Sequence, residues 1–247
     1  MKTGTLYGIG VGPGDPELIT LKAVNILKKT DIVFSASSTK NDFSIAKNIA
    51  ADHIPANTQM VDLSFPMTKD KEILQKTWHE HACTIASELD QRKNGVFLTL
   101  GDPLVYSTYG YILISLKNNF PHIPIETVPG ITSYQAAASR INTPLVQGNE
   151  SLLLTACTKG PEHIKTLGET IENVVLLKAY KNIKEICSAL EENNMADNTV
   201  TVRKCGLADE EIIRDIRNLN NKPPEYWTLI MAKRKKADLA SDPYSGI

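Results

Sequence analysis

The sequence has few cysteines, little net charge and no long hydrophobic run, and each shortage excludes a class of protein. Its four cysteines stand far apart without paired spacing, which argues against a disulfide framework or a zinc site and indicates a reducing compartment. No segment is apolar for long enough to act as a signal peptide or to span a bilayer. We therefore expect a cytoplasmic protein that does not enter the membrane.

The charge balance also excludes a strongly basic nucleic-acid binder. The 27 lysines and arginines are matched by 28 aspartates and glutamates, which leaves a formal net charge of −1. A protein whose main partner is nucleic acid usually carries a basic face. At 247 residues, with 42% hydrophobic content, the chain is long enough for one large domain or two small ones.

Short apolar segments alternate with helical patterns along the chain, which predicts α/β layers with mostly parallel strands. Residues 117–124 (KNNFPHIP) contain two prolines and two asparagines and are the best linker candidate. The sequence therefore predicts a first α/β domain over residues 1–118, a second over residues 123–234 and a polar tail over residues 235–247. Two such halves are expected to hold a ligand in the crevice between them, beyond the carboxyl ends of the strands.

The hydrophobic periodicity gives the expected element positions, with residues 210–217 ambiguous between helix and strand. The predicted helices are residues 17–29, 44–53, 69–93 and 109–117. The predicted strands are residues 4–10, 31–35, 59–63 and 95–100 in the first half and 125–128, 151–155, 174–178, 199–203 and 227–232 in the second.

A glycine-rich loop follows the first predicted strand, with glycines at alternate positions in GIGVGPGDPE (residues 8–17). A dinucleotide fingerprint fails on spacing, because its third glycine would fall on Pro13, Asp15 or Glu17, depending on which glycine starts the motif. A phosphate loop fails because no Gly-Lys-Ser/Thr follows. A tight turn without a ligand is the alternative, but the four glycines together with Pro13 and Asp15 favour a ligand-facing loop.

Two further loops follow buried strands. In TLGDPLVYSTYG (residues 99–110), Asp102 offers a carboxylate to an amino group or a ribose hydroxyl; the alternative is an Asp-Pro turn before a helix. In VPGITSYQAAASR (residues 128–140), Thr132 and Ser133 begin a helix whose free N–H groups can bind a polar group; the alternative is plain helix capping.

Other polar residues are weaker candidates. Lys178 ends the apolar run VVLLK, where it either faces a ligand or only extends its amine to solvent. The histidines of the His79-Glu80-His81 sequence are two residues apart on a helix and point to different sides, which predicts a solvated face and no metal site.

Three motifs together resemble the tetrapyrrole methylase family: LYGIGVGPGDPELITLKA (residues 6–23), GDPLVYSTY (residues 101–109) and PGITSYQAAASR (residues 129–140). They stand in the family's order and spacing, and the likeness extends to about Lys233. The resemblance implies two αβα domains with S-adenosylmethionine in the cleft between them, a homodimer, and methylation of a tetrapyrrole substrate. The alternatives are another enzyme of the same fold, acting on another precorrin, uroporphyrinogen III or diphthine, a nicotinamide-dependent oxidoreductase, and a tetrapyrrole carrier without catalytic activity.

Within the family, the sequence is most similar to the branch that methylates carbon 20 of precorrin-2 or cobalt-factor II on the route to cobalamin. The Tyr-Ser-Thr after the Gly-Asp-Pro of the second motif, the LTLKA-like helix start ITLKA (residues 19–23) and the stretch PLVQGNESLLL (residues 144–154) carry that similarity. Some relatives place an acid after the second strand in a motif like VVYD, but this chain has VFSAS (residues 33–37). The resemblance therefore assigns no catalytic residue and no metal.

The resemblance also assigns binding residues. The substrate would contact the first glycine loop at Gly10, Gly12, Gly14 and Asp15. Basic residues expected to meet the carboxylates of the substrate are Lys40, Lys47, Arg140, Lys159 and Lys181. The residues expected to contact the cofactor are Pro13, Leu100, Gly101, Asp102, Val105, Tyr106, Thr132, Ser133, Leu177, Lys178, Val202, Gly206, Thr228 and Leu229.

Overall fold

A computed structural model describes residues 3–38, 45–158, 160–166 and 170–235 of the chain. The chain divides into two compact units, Met1–Ala136 and Ala137–Ile247, and each is described here by itself. Each unit contains one five-stranded sheet, so the α/β class predicted from the sequence is confirmed. The predicted tail, apart from Lys235, lies outside the described residues.

The first unit is built on a sheet with strand order β3-β2-β4-β1-β5, in which every neighbouring pair is parallel. The interior strands β1 and β4 consist mostly of apolar residues and glycine, as is typical of parallel strands that are covered on both faces. The strands are β1 (Leu6–Gly10), β2 (Ile32–Ser38), β3 (Gln59–Phe65), β4 (Gly95–Thr99) and β5 (Ile125–Val128). The helices that begin in this unit are α1 (Leu21–Leu27), α2 (Ile45–Ala50), α3 (Lys71–Leu89), α4 (Tyr109–Asn119) and α5 (Ser133–Arg140).

Helices pack on both faces of this sheet. On one face, α3 and α4 cover Phe34 and Phe97, and the buried Tyr109 hydroxyl lies 2.9 Å from Thr127 Oγ1. On the other face, α1 and α2 pack against Val33 and Leu98. Desolvation raises the pKa of Tyr109 although the hydrogen bond to Thr127 lowers it, so the phenol stays protonated. Both faces of the sheet are therefore covered by packed helices, and the loops of interest leave its carboxyl edge.

The first predicted helix, residues 17–29, is two elements in the structure. Asp15 accepts a hydrogen bond from Glu17 N at 2.9 Å and caps a short 3-10 helix, Pro16–Leu18. The chain is then extended at Thr20, whose hydroxyl accepts from Ala23 N at 3.2 Å and begins α1. The apolar spacing was compatible with one helix, but the two local caps start separate turns.

The predicted domain boundary differs from the structural one. β5 pairs with β1, with Leu6 next to Ile125, so it belongs to the first sheet and not to the second half. The proline- and asparagine-rich residues 117–124 instead form the end of α4 and a short turn in which Ile123 N donates to Phe120 O at 3.1 Å. These residues favour turns, and a turn inside a domain has the same composition as a linker between domains.

The second unit corrects the expectation of mostly parallel strands. Its sheet has the order β6-β7-β10-β8-β9. Of the neighbouring pairs in this sheet, β6 and β7 are parallel and the other three are antiparallel. The ambiguous residues 210–217 contain a short strand, and a 3-10 helix begins at Ile216. The elements are β6 (Leu152–Ala156), α6 (Glu162–Lys165), β7 (Asn173–Leu177), α7 (Ile183–Glu192), β8 (Thr199–Arg203), β9 (Glu211–Ile213), the 3-10 helix Ile216–Asn221 and β10 (Thr228–Lys233).

None of the helices in the described part of the chain is both long enough and apolar enough to cross a membrane.

Candidate functional site

Three loops leave the carboxyl ends of the adjacent strands β4, β1 and β5, and they are the three motifs singled out in the sequence. Gly101 N donates to Gly12 O at 2.7 Å, and Gly12 N faces Gly101 O at 3.4 Å, so the first two loops form an antiparallel bridge. Gly101 has φ +71°, a conformation that glycine adopts without the strain of a side chain. Among the described residues, only Ile131 O, at 4.0 Å, would lie near a Cβ at Gly101, so these residues leave free space beside its backbone.

The third loop packs against the first two through glycine. A Cβ on Gly10 would lie 2.4 Å from Gly101 O and 2.7 Å from Gly130 Cα. A Cβ on Gly130 would lie 2.2 Å from Gly101 O. Such distances are well inside van der Waals contact and involve backbone atoms, which cannot rotate away. Gly10 therefore has a structural reason to be glycine: it allows the three loops to meet.

Asp102 joins the second and third loops. Its Oδ1 accepts from Leu104 N at 2.8 Å, and its Oδ2 accepts from Gly130 N at 3.0 Å. The Asp-Pro turn considered as an alternative to ligand binding is therefore present, and the same carboxylate also holds the neighbouring loop. Around it, Leu100 and Val105 are partly exposed, and Tyr106 has φ +49° and is 49% exposed.

Thr132 caps the helix α5, as the capping interpretation predicts. Gln135 Oε1 accepts from Thr132 N at 3.0 Å and from Thr132 Oγ1 at 2.8 Å, which forms a capping box. Thr132 is buried, whereas Ser133, the first residue of α5, is partly exposed. Of the two, Ser133 is therefore the more accessible to a ligand.

The residues assigned to the substrate lie on the first loop but differ in exposure. Gly10, Gly12 and Gly14 are buried, as is Pro13, which was assigned to the cofactor. Asp15 is partly exposed and caps the 3-10 helix. Of the residues of this loop that were assigned to a ligand, Asp15 is therefore the most accessible.

In the second unit, the assigned cofactor residues lie on neighbouring strands. Leu229 on β10 is in register with Leu177 on β7 and with Val202 on β8, so the three side chains form one row on one face of the sheet. Lys178 follows β7 directly, with φ +55°, and its amine lies 5.6 Å from the centre of the Tyr226 ring. The buried Thr228 accepts a backbone hydrogen bond from Ala179 N at 3.0 Å.

The loop after β8 contains Gly206, the last assigned cofactor residue. It also contains Cys205 and Glu210, which the sequence analysis did not assign to the site. Gly206 N donates to Glu210 Oε2 at 2.8 Å, and Arg140 Nε donates to Glu210 Oε1 at 2.7 Å. Burial pushes the pKa of Glu210 up, but the hydrogen bonds from Gly206 and Arg140 outweigh it, so the net pKa is lowered. Burial raises the pKa of Cys205 to about 12, helped by the charge of Glu210, so its thiol is neutral.

Three of the basic residues expected at a substrate rim lie in the described part of the chain, and each has a partner within its own unit. Lys47 lies 3.9 Å from Asp62, Arg140 pairs with Glu210, and the Lys181 amine lies 5.1 Å from the centre of the Tyr180 ring. Lys40 and Lys159 lie outside the described residues. The two histidines of α3 also have separate partners: His79 lies 3.6 Å from Cys83 Sγ, and His81 lies 2.9 Å from Ser64 O.

Comparison with known proteins shows which sequences this chain resembles along most of its length. The sequence profile of the Tetrapyrrole (Corrin/Porphyrin) Methylases matches residues 5–219. The chain is 34% identical to a probable cobalt-precorrin-2 C(20)-methyltransferase of Methanocaldococcus jannaschii, over 94% of this chain and 96% of that protein. It is 29% identical to the cobalt-precorrin-2 C(20)-methyltransferase of Salmonella typhimurium, over 94% of this chain and 97% of that protein.

Solved structures show the same fold. A cobalt precorrin-4 methyltransferase superimposes with a TM-score of 0.74 at 24% identity, covering 93% of this chain and 94% of that one. A uroporphyrin-III C-methyltransferase of Thermus thermophilus, complexed with S-adenosylhomocysteine, superimposes with a TM-score of 0.64 at 21% identity, covering 93% and 97%. At these identities the likeness establishes the fold alone.

Proposed function

The chain belongs to the tetrapyrrole methylase family, and we propose on that basis that it transfers a methyl group from S-adenosylmethionine to carbon 20 of precorrin-2 or cobalt-factor II in cobalamin biosynthesis. The observation that carries the proposal is the full-length likeness to C(20)-methyltransferases, at 34% and 29% identity with almost complete coverage of both chains. Two uroporphyrinogen-III C-methyltransferases are also similar, one at 30% identity over 79% of this chain and one at 26% identity over 92% of it.

The residues at the loop junction fit S-adenosylmethionine. The free space beside Gly101 allows a ligand to approach the backbone, and Leu100 and Val105 offer partly exposed apolar surface. We propose that Gly101, Asp102 and Ser133 hold the cofactor from the first unit. The cofactor positions of the second unit (Leu177, Lys178, Val202, Gly206, Thr228 and Leu229) remain a prediction from the family resemblance.

When bound, S-adenosylmethionine supplies an activated methyl group on a sulfonium. The task left to the chain is to orient the two reactants and to exclude water, and orientation alone can supply about 7–11 kcal/mol in well-aligned reactions. The interlocked loops suit that task because their glycines and Asp102 hold one another in place. Asp15 caps a helix and Asp102 joins two loops, so we assign neither as the base that removes the proton from the methylated carbon.

Calorimetric titration with S-adenosylhomocysteine tests the cofactor half of the proposal. We expect saturable binding of S-adenosylhomocysteine and no heat change with NADH, because the glycine spacing does not match a dinucleotide site. Binding of NADH without any response to S-adenosylhomocysteine would refute the methyltransferase assignment and favour the oxidoreductase alternative.

The substrate half is tested by methyl transfer. The protein is incubated with S-adenosylmethionine carrying a labelled methyl group and, in separate reactions, with precorrin-2, cobalt-factor II or uroporphyrinogen III. We expect label in one of the first two products and none in the third. Label only in the uroporphyrinogen product would move the chain to another branch of the family.

We also propose that the protein is a homodimer, since the family resemblance implies one. We propose that it is cytoplasmic because its four cysteines are free, as is usual in a reducing compartment. Light scattering on the purified protein is expected to give twice the mass of one chain at micromolar concentration. A mass equal to that of one chain would contradict the dimer without affecting the proposed reaction.

A further inference from the structure

Glu210 accepts hydrogen bonds that hold the loop after β8 in place. Its side chain is only 12% exposed, yet it carries a carboxylate with a lowered pKa, so it is ionised and mostly removed from water. A buried carboxylate is unfavourable unless hydrogen bonds and a counter-charge compensate it. Both are present, because Oε2 accepts from Gly206 N and Oε1 accepts from the Arg140 guanidinium.

The loop that Glu210 holds has an unusual backbone. Lys204 has φ +52° and Gly206 has φ +78°, so the chain turns sharply twice within three residues. Lys204 N donates to Trp227 O at 2.8 Å, which fixes the start of the loop to the residue before β10. Glu210 fixes its middle by accepting from Gly206 N, and Leu207 O accepts from Glu210 N at 3.0 Å.

The other partner of Glu210 is Arg140, the last residue of α5. One carboxylate therefore connects the end of this helix with the turn that contains Gly206. Cys205, which precedes Gly206, is buried and keeps a neutral thiol that also hydrogen-bonds the Glu210 carboxylate. The position of Gly206 thus depends on a side chain four residues later in the sequence.

We infer that Glu210, paired with Arg140, sets the backbone position of Gly206 and thereby tunes the affinity for S-adenosylmethionine. This inference rests on the proposed function, because it takes Gly206 as a cofactor contact. Glu210 itself acts through Gly206 and does not touch the cofactor. Within the described part of the chain, Glu210 is the side chain that accepts a hydrogen bond from Gly206 N.

The test compares Glu210→Gln with Glu211→Gln. Gly206 N and Arg140 bind different oxygens of Glu210, and in glutamine one of these becomes an NH2 donor, so one of the two bonds is lost. Glu211 is a matched control: it is the adjacent residue, and it is ion-paired with Arg203 and Lys222 instead. We expect Glu210→Gln to weaken S-adenosylhomocysteine binding about tenfold, as when a hydrogen bond to a charged group is lost, and Glu211→Gln to leave it within about twofold.

Steady-state kinetics separate positioning from a general structural effect. Glu210→Gln is expected to raise KM for S-adenosylmethionine by a similar factor while leaving kcat and KM for the tetrapyrrole unchanged. Arg140→Gln, which keeps the bond between Glu210 and Gly206, is expected to cause a smaller loss of affinity and serves as the test if Glu210→Gln does not fold.

Three results would overturn the inference. In the first, Glu210→Gln, or Arg140→Gln in its place, binds S-adenosylhomocysteine as tightly as the parent protein. In the second, Glu211→Gln weakens binding to the same extent, which would mean that the loss reflects stability. In the third, the parent protein itself does not bind S-adenosylhomocysteine, and then the proposed function fails together with the inference.

Discussion

Replacing Gly10 with alanine is expected to abolish S-adenosylhomocysteine binding and to destabilise the first unit. The added Cβ would lie 2.4 Å from Gly101 O and 2.7 Å from Gly130 Cα. Because these are backbone atoms of two different loops, at least one loop must move away from the carboxyl edge of the sheet. Overpacking of this kind lowers the free energy of unfolding by about 1–3 kcal/mol, and displacement of the loops removes the geometry proposed for the cofactor.

Gly110→Ala is the matched control for this substitution. Gly110 lies in α4, and a Cβ there would meet no atom of the described residues within 4 Å. Alanine is preferred over glycine in a helix by about 0.5–1 kcal/mol, so this variant should be as stable as the parent protein or slightly more stable. Urea denaturation gives the stability of both variants, and calorimetry gives their affinity. If Gly10→Ala kept the parent stability and affinity, the close packing of the loops would be wrong.

The positions of most strands could be predicted from the sequence, but the strand directions of the second sheet could not. Residues 125–128 and 199–203 are strands with the predicted bounds. A buried strand is a continuous apolar run in either direction, so TLIMAK of β10 gives no sign that it runs antiparallel to β7 and β8. The direction depends on the connections, and residues 204–227 are too irregular for their path to be predicted from periodicity.

The parts of the site that could be predicted are those whose geometry is set by residues close together in the sequence. The three loops stood out because glycine, proline and aspartate mark turns whose geometry is set by neighbouring residues. Thr132 and Gln135 have the spacing of a capping box, so their pairing was available from the sequence. Glu210 gave no such signal, because its partner Arg140 is 70 residues away and a glutamate in a polar loop is usually solvated.

Asp102→Ala is expected to weaken S-adenosylhomocysteine binding by about a hundredfold, through the loss of two hydrogen bonds to a charged group. The carboxylate holds Leu104 N within its own loop and Gly130 N of the next loop. Without it, the second and third loops lose their side-chain connection, while the Gly12–Gly101 bridge remains. The sheet core below is not touched, so the variant should still fold cooperatively.

Asp70→Ala distinguishes a loss of loop geometry from a loss of stability. Asp70 also accepts from two backbone groups, Glu72 N and Ile73 N, but it caps α3. Removing a cap lowers the free energy of unfolding by about 1 kcal/mol, so Asp70→Ala should be destabilised and yet bind S-adenosylhomocysteine normally.

Asp102→Asn refines the comparison: its oxygen can still accept from Leu104 N, but its amide would place a donor against Gly130 N. We therefore expect Asp102→Asn to bind almost as weakly as Asp102→Ala. Normal binding by both Asp102 variants would mean that the connection between the loops does not position the cofactor.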